Sequence, residues 1–153
     1  MRVWRLCRRA HAKFDGEGAR RYGGRWNLRG TAVVYVSATA SLAALEYFVN
    51  LDLDEAPPDL VLVPADVPET VAVDEIAIDD LPRGWRRVPA PEALARLGTD
   101  WARAGRTVVL SVPSAVVPVE RNYLLNPAHR DFAAIVVRHA DRFVLDPRML
   151  GRR

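Results

Sequence analysis

A chain of 153 residues, 50% hydrophobic and 27% charged, is long enough to bury a core and has the composition of an ordinary globular protein, so a single domain over residues 1–153 is expected. No apolar run reaches the length of a membrane span, the basic stretch Met1 to Arg9 lacks the apolar centre of a signal peptide, and a lone Cys7 excludes an internal disulfide; a reducing, cytoplasmic location is expected. The formal charge of +3 comes almost wholly from arginine, scattered in ones and twos with Arg20-Arg21, Arg86-Arg87 and Arg152-Arg153 as the densest points. That scatter fits a solvated mixed-charge surface, with steering of an anionic small ligand as a second reading, and gives little support to direct nucleic-acid binding.

In chain order, residues 2–6 read as a short strand and 8–30 as a long loop with glycines at 16, 18, 23, 24 and 30. A loop of that length in a compact domain is usually functional, and Tyr22 and Trp26 suggest an ordered, ligand-facing one. The β-branched run Thr31 to Ser37 is a strand, and Ser37, Thr39 and Ser41 offer three N-caps for a helix reaching about Asn50. Short strands follow at 60–63 and 71–73, then a proline-rich connection from Asp80 to Pro91. Glu92 to Ala104 reads as a helix broken or kinked near Gly98 and recapped by Thr99. Strands at 107–112, 133–137 and 142–145 complete the pattern, with Trp85 and Trp101 read as exposed aromatics open to a partner or a second copy. Strands dominate and helices do not alternate with them, which indicates an α+β fold with a mixed β core and a few flanking helices.

The residues with chemical promise begin at Gly23-Gly24-Arg25-Trp26-Asn27. Adjacent glycines let backbone N–H groups approach an anion, and the arginine adds a planar fork of donors suited to phosphate. Tyr35 shares a strand face with Val33, either as a core tyrosine with a satisfied hydroxyl or as a platform for a ligand ring. On the following helix, Leu42, Leu45 and Val49 mark an apolar stripe that also holds Glu46. Either the helix is rotated so that Glu46 snorkels at the edge, or the carboxylate is buried and must find partners or line a cavity.

Ser111 and Ser114 flank Pro113 without a nucleophile-elbow or triad pattern. Asn122 and Asn126 frame a segment rich in hydrogen-bonding groups, with local capping favoured for Asn126. Metal binding is not expected: Cys7 and His11 form an isolated pair, and His129 and His139 lack zinc spacing. Neither a Gly-x-Gly-x-x-Gly nor a Walker loop is present.

Seven stretches together resemble the RES domain, the toxin half of bacterial RES–Xre toxin–antitoxin pairs. They are Phe14-Asp-Gly-Glu-Gly-Ala19, Gly23-Gly-Arg-Trp-Asn27, Val34-Tyr-Val-Ser37, Leu42-Ala-Ala-Leu-Glu46, Val112-Pro-Ser-Ala115, Glu120-Arg-Asn-Tyr-Leu-Leu-Asn-Pro-Ala-His129 and Phe143-Val-Leu-Asp-Pro-Arg148. The resemblance implies an ADP-ribosyltransferase-like fold and an enzyme that consumes NAD⁺ as substrate, with no other cofactor, by splitting its nicotinamide–ribose bond. Water or inorganic phosphate would be the acceptor, making it a glycohydrolase or phosphorylase, and protein ADP-ribosylation is the alternative on the same scaffold. A cognate Xre-type helix-turn-helix antitoxin is the implied partner. By the same resemblance Arg25, Tyr35, Glu46 and Ser114 are the catalytic set, with Ser111 near enough to compete for the serine role. Gly23, Gly24, Trp26, Asn27, Ser111 and Asn122 are the expected substrate contacts: Arg25 on the pyrophosphate with the glycine N–H groups, Glu46 at the ribose, Tyr35 at the nicotinamide.

Overall fold

The computed structural model describes residues 1–151; the Arg152-Arg153 pair of the charge pattern lies outside them. Five strands carry the sheet: β1 (Arg2–Arg8), β2 (Val34–Ser37), β3 (Leu60–Asp66), β5 (Val109–Pro113) and β6 (Arg121–Leu125). Shorter strands β4 (Val73–Glu75), β7 (Val136–Val137) and β8 (Asp141–Arg142) extend its margins. The order is β4-β5-β6-β2-β1-β3-β7 with β8 also on β3, and only the β4–β5 pairing is parallel. With α1 (Glu17–Tyr22), α2 (Ala40–Phe48) and α3 (Glu92–Ala104) packed around this mixed sheet, the fold is α+β, as the pattern of elements indicated.

Alternation along the strands sorts the core into two sides. Val34, Val36, Val61, Val63, Val109 and Leu125 meet Phe14, Val67 and Ile135 on one face. On the other, Leu110, Val112 and Leu124 pack against Leu94 and Trp101 of α3 and against Trp26, while Leu6 and Leu60 meet Ala43 of α2. Tyr35 lies opposite Leu124, and Ser37 opposite Asn122, so Tyr35 and the Ser37–Asn122 pair stand on the face that carries α2 and α3. β1 follows β3 along its whole length but meets β2 only where Trp4 faces Ser37. Past that point β1 and β2 part, and Leu6 and Arg8 of one and Tyr35 of the other become walls of a cleft.

Several elements differ from the sequence reading. The supposed loop at 8–30 contains α1, which ends at Gly23 in a left-handed conformation (φ +70°). β2 begins at Val34 and β4 at Val73, each a few residues later than expected. α3 runs unbroken: Gly98 is buried where a Cβ would stand 1.8 Å from the carbonyl oxygen of Trp26, so the glycine permits a close approach and does not break the helix. Thr99 caps nothing; its Oγ1 accepts a bond from the Leu28 N–H (2.8 Å).

β6 was absent from the reading because its polar residues Arg121 and Asn122 obscure a half-buried strand. Residues 133–137 divide into a 3₁₀ turn, Arg130–Ala134, and the short β7, and 142–145 keeps only its first residue in β8. Trp101 is buried, its Nε1 donating to Thr107 Oγ1 (2.9 Å), and Trp85 packs partly buried against the same cluster; neither is an exposed partner surface.

Candidate functional site

Of the three possible caps, Thr39 is the one that starts α2, its Oγ1 accepting from the Leu42 N–H (3.1 Å). Leu42 and Ala43 are buried whereas Val49 is 51% exposed, so the helix is rotated from the expected stripe. The rotation brings Glu46 toward the sheet, where it finds partners. Ser114 Oγ donates to Glu46 Oε1 (2.7 Å), and Asn122 Nδ2 donates to the same oxygen (2.5 Å). Both donors are themselves fixed. Ser114, fully buried after the end of β5, accepts from the N–H groups of Val116 and Val117, and Asn122 Oδ1 accepts from Ser37 Oγ (2.7 Å). Among the described residues no protein donor is directed at Oε2, so one carboxylate oxygen is held and the other faces the cleft.

That cleft has a volume of about 1110 Å³, and Glu46, Tyr35, Ser37 and Asn122 all line it. Gly23 and Tyr22 form part of one wall, and the rest carries charges of both signs, Arg5, Arg8, Lys13 and Arg21 with Asp15, Glu17, Asp52 and Glu55. Arg5 lies over the Phe14 ring at 5.8 Å and donates to the Lys13 carbonyl (3.1 Å), which orders this wall.

The Gly23–Asn27 turn is built differently from expectation. The Gly23 N–H donates to Ala19 O (2.8 Å) and the Gly24 N–H to Asn27 O (2.9 Å), so neither is available to an anion. Gly24 is needed for another reason: a Cβ there would lie 2.6 Å from the Tyr35 hydroxyl. That hydroxyl accepts from the Trp26 N–H (3.0 Å) and donates to Asn27 Oδ1 (2.7 Å). Asn27 Nδ2 in turn donates to the carbonyls of Ala19, Leu28 and Thr31. Asn27 and Trp26 are buried, at 1% and 3% exposure, and are therefore structural rather than ligand contacts. Burial pushes the Tyr35 phenol well above its ordinary pKa, against the opposing pull of the Trp26 N–H and the Arg25 charge.

Arg25 reaches across to the Leu81–Pro91 connection. Its Nη1 donates to Trp85 O (2.7 Å) and Arg87 O (3.2 Å), and its Nη2 to Arg87 O (3.2 Å). Burial lowers its pKa, while the nearby charge of Glu46 and then that of Tyr35 raise it. Arg86 of the same connection donates to Ala115 O (2.8 Å), beside Ser114. The connection thus ties the arginine turn to the serine turn.

Ser111 stands apart. Its Oγ accepts from Arg121 Nε (2.9 Å) on the opposite sheet face from Asn122, which leaves Ser114 as the serine at the carboxylate. Asn126 caps locally as expected, accepting from the Ala128 N–H and donating to Ala102 O. Ser37, a cap candidate and the last residue of the β-branched run, stands two residues from Tyr35 and so shares the cleft face. The place of Arg5 and Lys13 in the cleft carries no signal beyond the general basic balance, since Arg5 looks like any charged residue in a strand.

The RES domain model matches residues 2–146. A relative from Sphingobium sp. (strain YBL2), named Prs ADP-ribosylating toxin, is 40% identical over 97% of this chain and 96% of its own. A protein named Toxin Res from Photorhabdus laumondii is 36% identical over 98% of this chain and 97% of its own. The solved M. tuberculosis MbcT–MbcA toxin–antitoxin complex contains a chain of the same fold, with a TM-score of 0.68 at 18% identity, covering 98% of this chain and 86% of that one. No helix among the described residues is long and apolar enough to cross a membrane. Full-length similarity to these toxins, with a family match over residues 2–146, shows that the chain belongs to the RES domain toxin family.

Proposed function

We propose that this protein is the toxin of a toxin–antitoxin pair and that it breaks the nicotinamide–ribose bond of NAD⁺. The observation that carries the reading is the Glu46 carboxylate, fixed through Oε1 by Ser114 and Asn122, with Oε2 free of protein donors among the described residues at the edge of a cleft. Departure of nicotinamide leaves an oxocarbenium-like ribosyl cation, which a fixed carboxylate stabilises while accepting a hydrogen bond from a ribose hydroxyl. Holding the carboxylate by two donors removes the reorganisation that a mobile side chain would need. Arg5 and Lys13 of the cleft lining receive the pyrophosphate, and Tyr35 borders the nicotinamide end. Arg25 acts through the Trp85–Arg87 backbone and by its charge near Glu46.

With water as acceptor, the carbon–nitrogen bond breaks, the water oxygen bonds to ribose C1 and one proton is released, giving nicotinamide and ADP-ribose. Inorganic phosphate in the same place gives ADP-ribose 1-phosphate. The second reading is transfer to a protein side chain, favoured by the name of the 40% identical Sphingobium relative, a Prs ADP-ribosylating toxin. The partner is an antitoxin, of Xre type by family resemblance, and the location cytoplasmic; the MbcT–MbcA complex supports a partner of that kind.

Incubation with labelled NAD⁺, with and without inorganic phosphate and with and without purified Prs, separates the acceptors as free ADP-ribose, its 1-phosphate or labelled Prs. Nicotinamide release is expected in the productive arm, and Glu46→Gln is expected to lower it at least a hundredfold. A wild-type rate in Glu46→Gln would remove the carboxylate from the chemistry.

A further inference from the structure

A second hollow, of about 810 Å³, lies on the other side of α1 from the cleft. Arg20 of α1 lines this hollow, while its neighbours Arg21 and Tyr22 line the cleft, so the helix is the wall between them. Three separate stretches of chain deliver arginines to it: Arg20 from α1, Arg103 and Arg106 from the end of α3, and Arg130 from the turn after β6. Asp131 is the one carboxylate among the described lining residues.

Two of these four arginines have no ion-pair partner among the described residues. Arg20 is held by Glu17, and Arg130 has only a 3.8 Å contact with Asp131. Arg103 and Arg106 make no ion pair among the described residues, in a chain whose other arginines include well-paired ones such as Arg2, Arg138 and Arg148. A helix C-terminus attracts cations, which would account for Arg103. Two carbonyls of that last turn are already capped, however: the Gly105 N–H donates to Trp101 O (3.1 Å) and Asn126 Nδ2 to Ala102 O (2.9 Å). The helix end gives no reason for Arg130 to converge on the same place.

We propose that this hollow is a second binding site, separate from the catalytic cleft, for an anion carrying two or more adjacent phosphate groups. Guanidinium forks match phosphate oxygens in pairs, and several of them around one hollow exceed what a single phosphate can engage. The floor is made of small residues, among them Ala102, Gly105 and Ala128, so no bulky side chain keeps a phosphate from descending between the arginines. A Cβ at Gly105 would meet nothing within 4 Å, consistent with open space above it. His129 is the one ring among the lining residues and is held by the Asp131 N–H, so recognition rests on the phosphates rather than on stacking of a base.

The test is calorimetric titration of the full chain with inorganic tripolyphosphate, which lacks a base. Wild type is expected to bind saturably at one site. The Arg103→Ala/Arg106→Ala double variant removes the charge, and Ala128→Trp fills the hollow without changing charge; each should weaken binding at least tenfold. An Arg9→Ala/Arg83→Ala control loses the same charge at exposed positions outside both cavities and should stay within twofold of wild type. Saturating NAD⁺ should leave tripolyphosphate affinity unchanged, and NAD⁺ turnover should persist in the hollow variants, so failure here and failure of the catalytic reading are distinguishable. The proposal is overturned by absence of saturable binding, by equal weakening in the control, by hollow variants that bind normally, or by displacement with NAD⁺. Equal competition by an oligoglutamate peptide would overturn it in favour of an acidic protein surface. Should Ala128→Trp fail to fold, the double arginine variant still decides the matter.

Discussion

The Gly23–Asn27 turn and the Glu46 cluster present the same ingredients, polar and charged groups in an apolar setting, and use them in opposite ways. In the turn nearly every donor is engaged inside the chain: both glycine N–H groups, the Asn27 amide, and both terminal nitrogens of Arg25. Around Glu46 the donors converge on a single carboxylate oxygen and leave the other facing the cleft. The difference is one of satisfaction. A buried polar network closed on itself fixes a conformation, whereas one left open at one atom retains capacity for a ligand. A motif whose residue types suit an anion can therefore serve as a brace, and the distinction lies in which hydrogen bonds remain to be made.

The comparison is broken most directly at Asn122. If the cluster exists to fix Glu46, removing its amide should cost rate more than substrate binding. A hydrogen bond to a charged group contributes about 1.5–3 kcal/mol, which corresponds to roughly ten- to a hundredfold in rate. Asn122→Ala is expected to lower kcat for NAD⁺ consumption by that factor, with KM changed less than threefold. A raised KM with kcat intact would show that Asn122 binds substrate itself and does not position the carboxylate.

Arg25 gives a smaller and sharper test from the other region. Arg25→Lys keeps a positive charge near Glu46 but loses the fork that spans the Trp85 and Arg87 carbonyls. A brace predicts a fall in kcat of about tenfold, the value of roughly 1.4 kcal/mol of lost positioning, with KM little changed. A tenfold rise in KM alone would mean that the guanidinium leaves those carbonyls to hold the pyrophosphate.

How much of this was legible beforehand follows from what each residue's pattern can carry. The α+β class came from strand-rich spacing, and Glu46 stood out because a carboxylate on an apolar stripe demands partners. The helix rotation that places it was hidden, since Val49 reads as core by type and is exposed in fact. β6 was missed because Arg121 and Asn122 are polar where a strand signal is apolar, although one serves the site and the other ties β5 to the residue after β4. Gly98 reads as a helix breaker because propensity is local, and the Trp26 carbonyl that requires a glycine is 72 residues away in sequence and in contact only in space. The engaged N–H groups of the turn were illegible for the same reason: donor identity is a property of sequence, and donor occupancy of the fold.

Tyr35 stands at the junction of the two regions, its hydroxyl closing the turn's network and its ring lining the cleft. Burial raises its pKa in the folded state above the ordinary value near 10, so the neutral phenol is favoured by folding. The sign follows: this contribution to stability is complete below about pH 10 and is lost as pH rises through the raised folded-state value, at no more than about 1.4 kcal/mol per pH unit. Tyr35→Phe cannot ionise, and it also leaves the Trp26 N–H and Asn27 Oδ1 without their partner. The variant should therefore be less stable than wild type at neutral pH but lose less stability between about pH 9.5 and 11, read as the urea midpoint at each pH. Every other residue is the same in both proteins and cancels in the difference. Parallel alkaline limbs would show that the phenol opens to solvent before it ionises, and the turn would then be looser than its closed hydrogen bonding indicates.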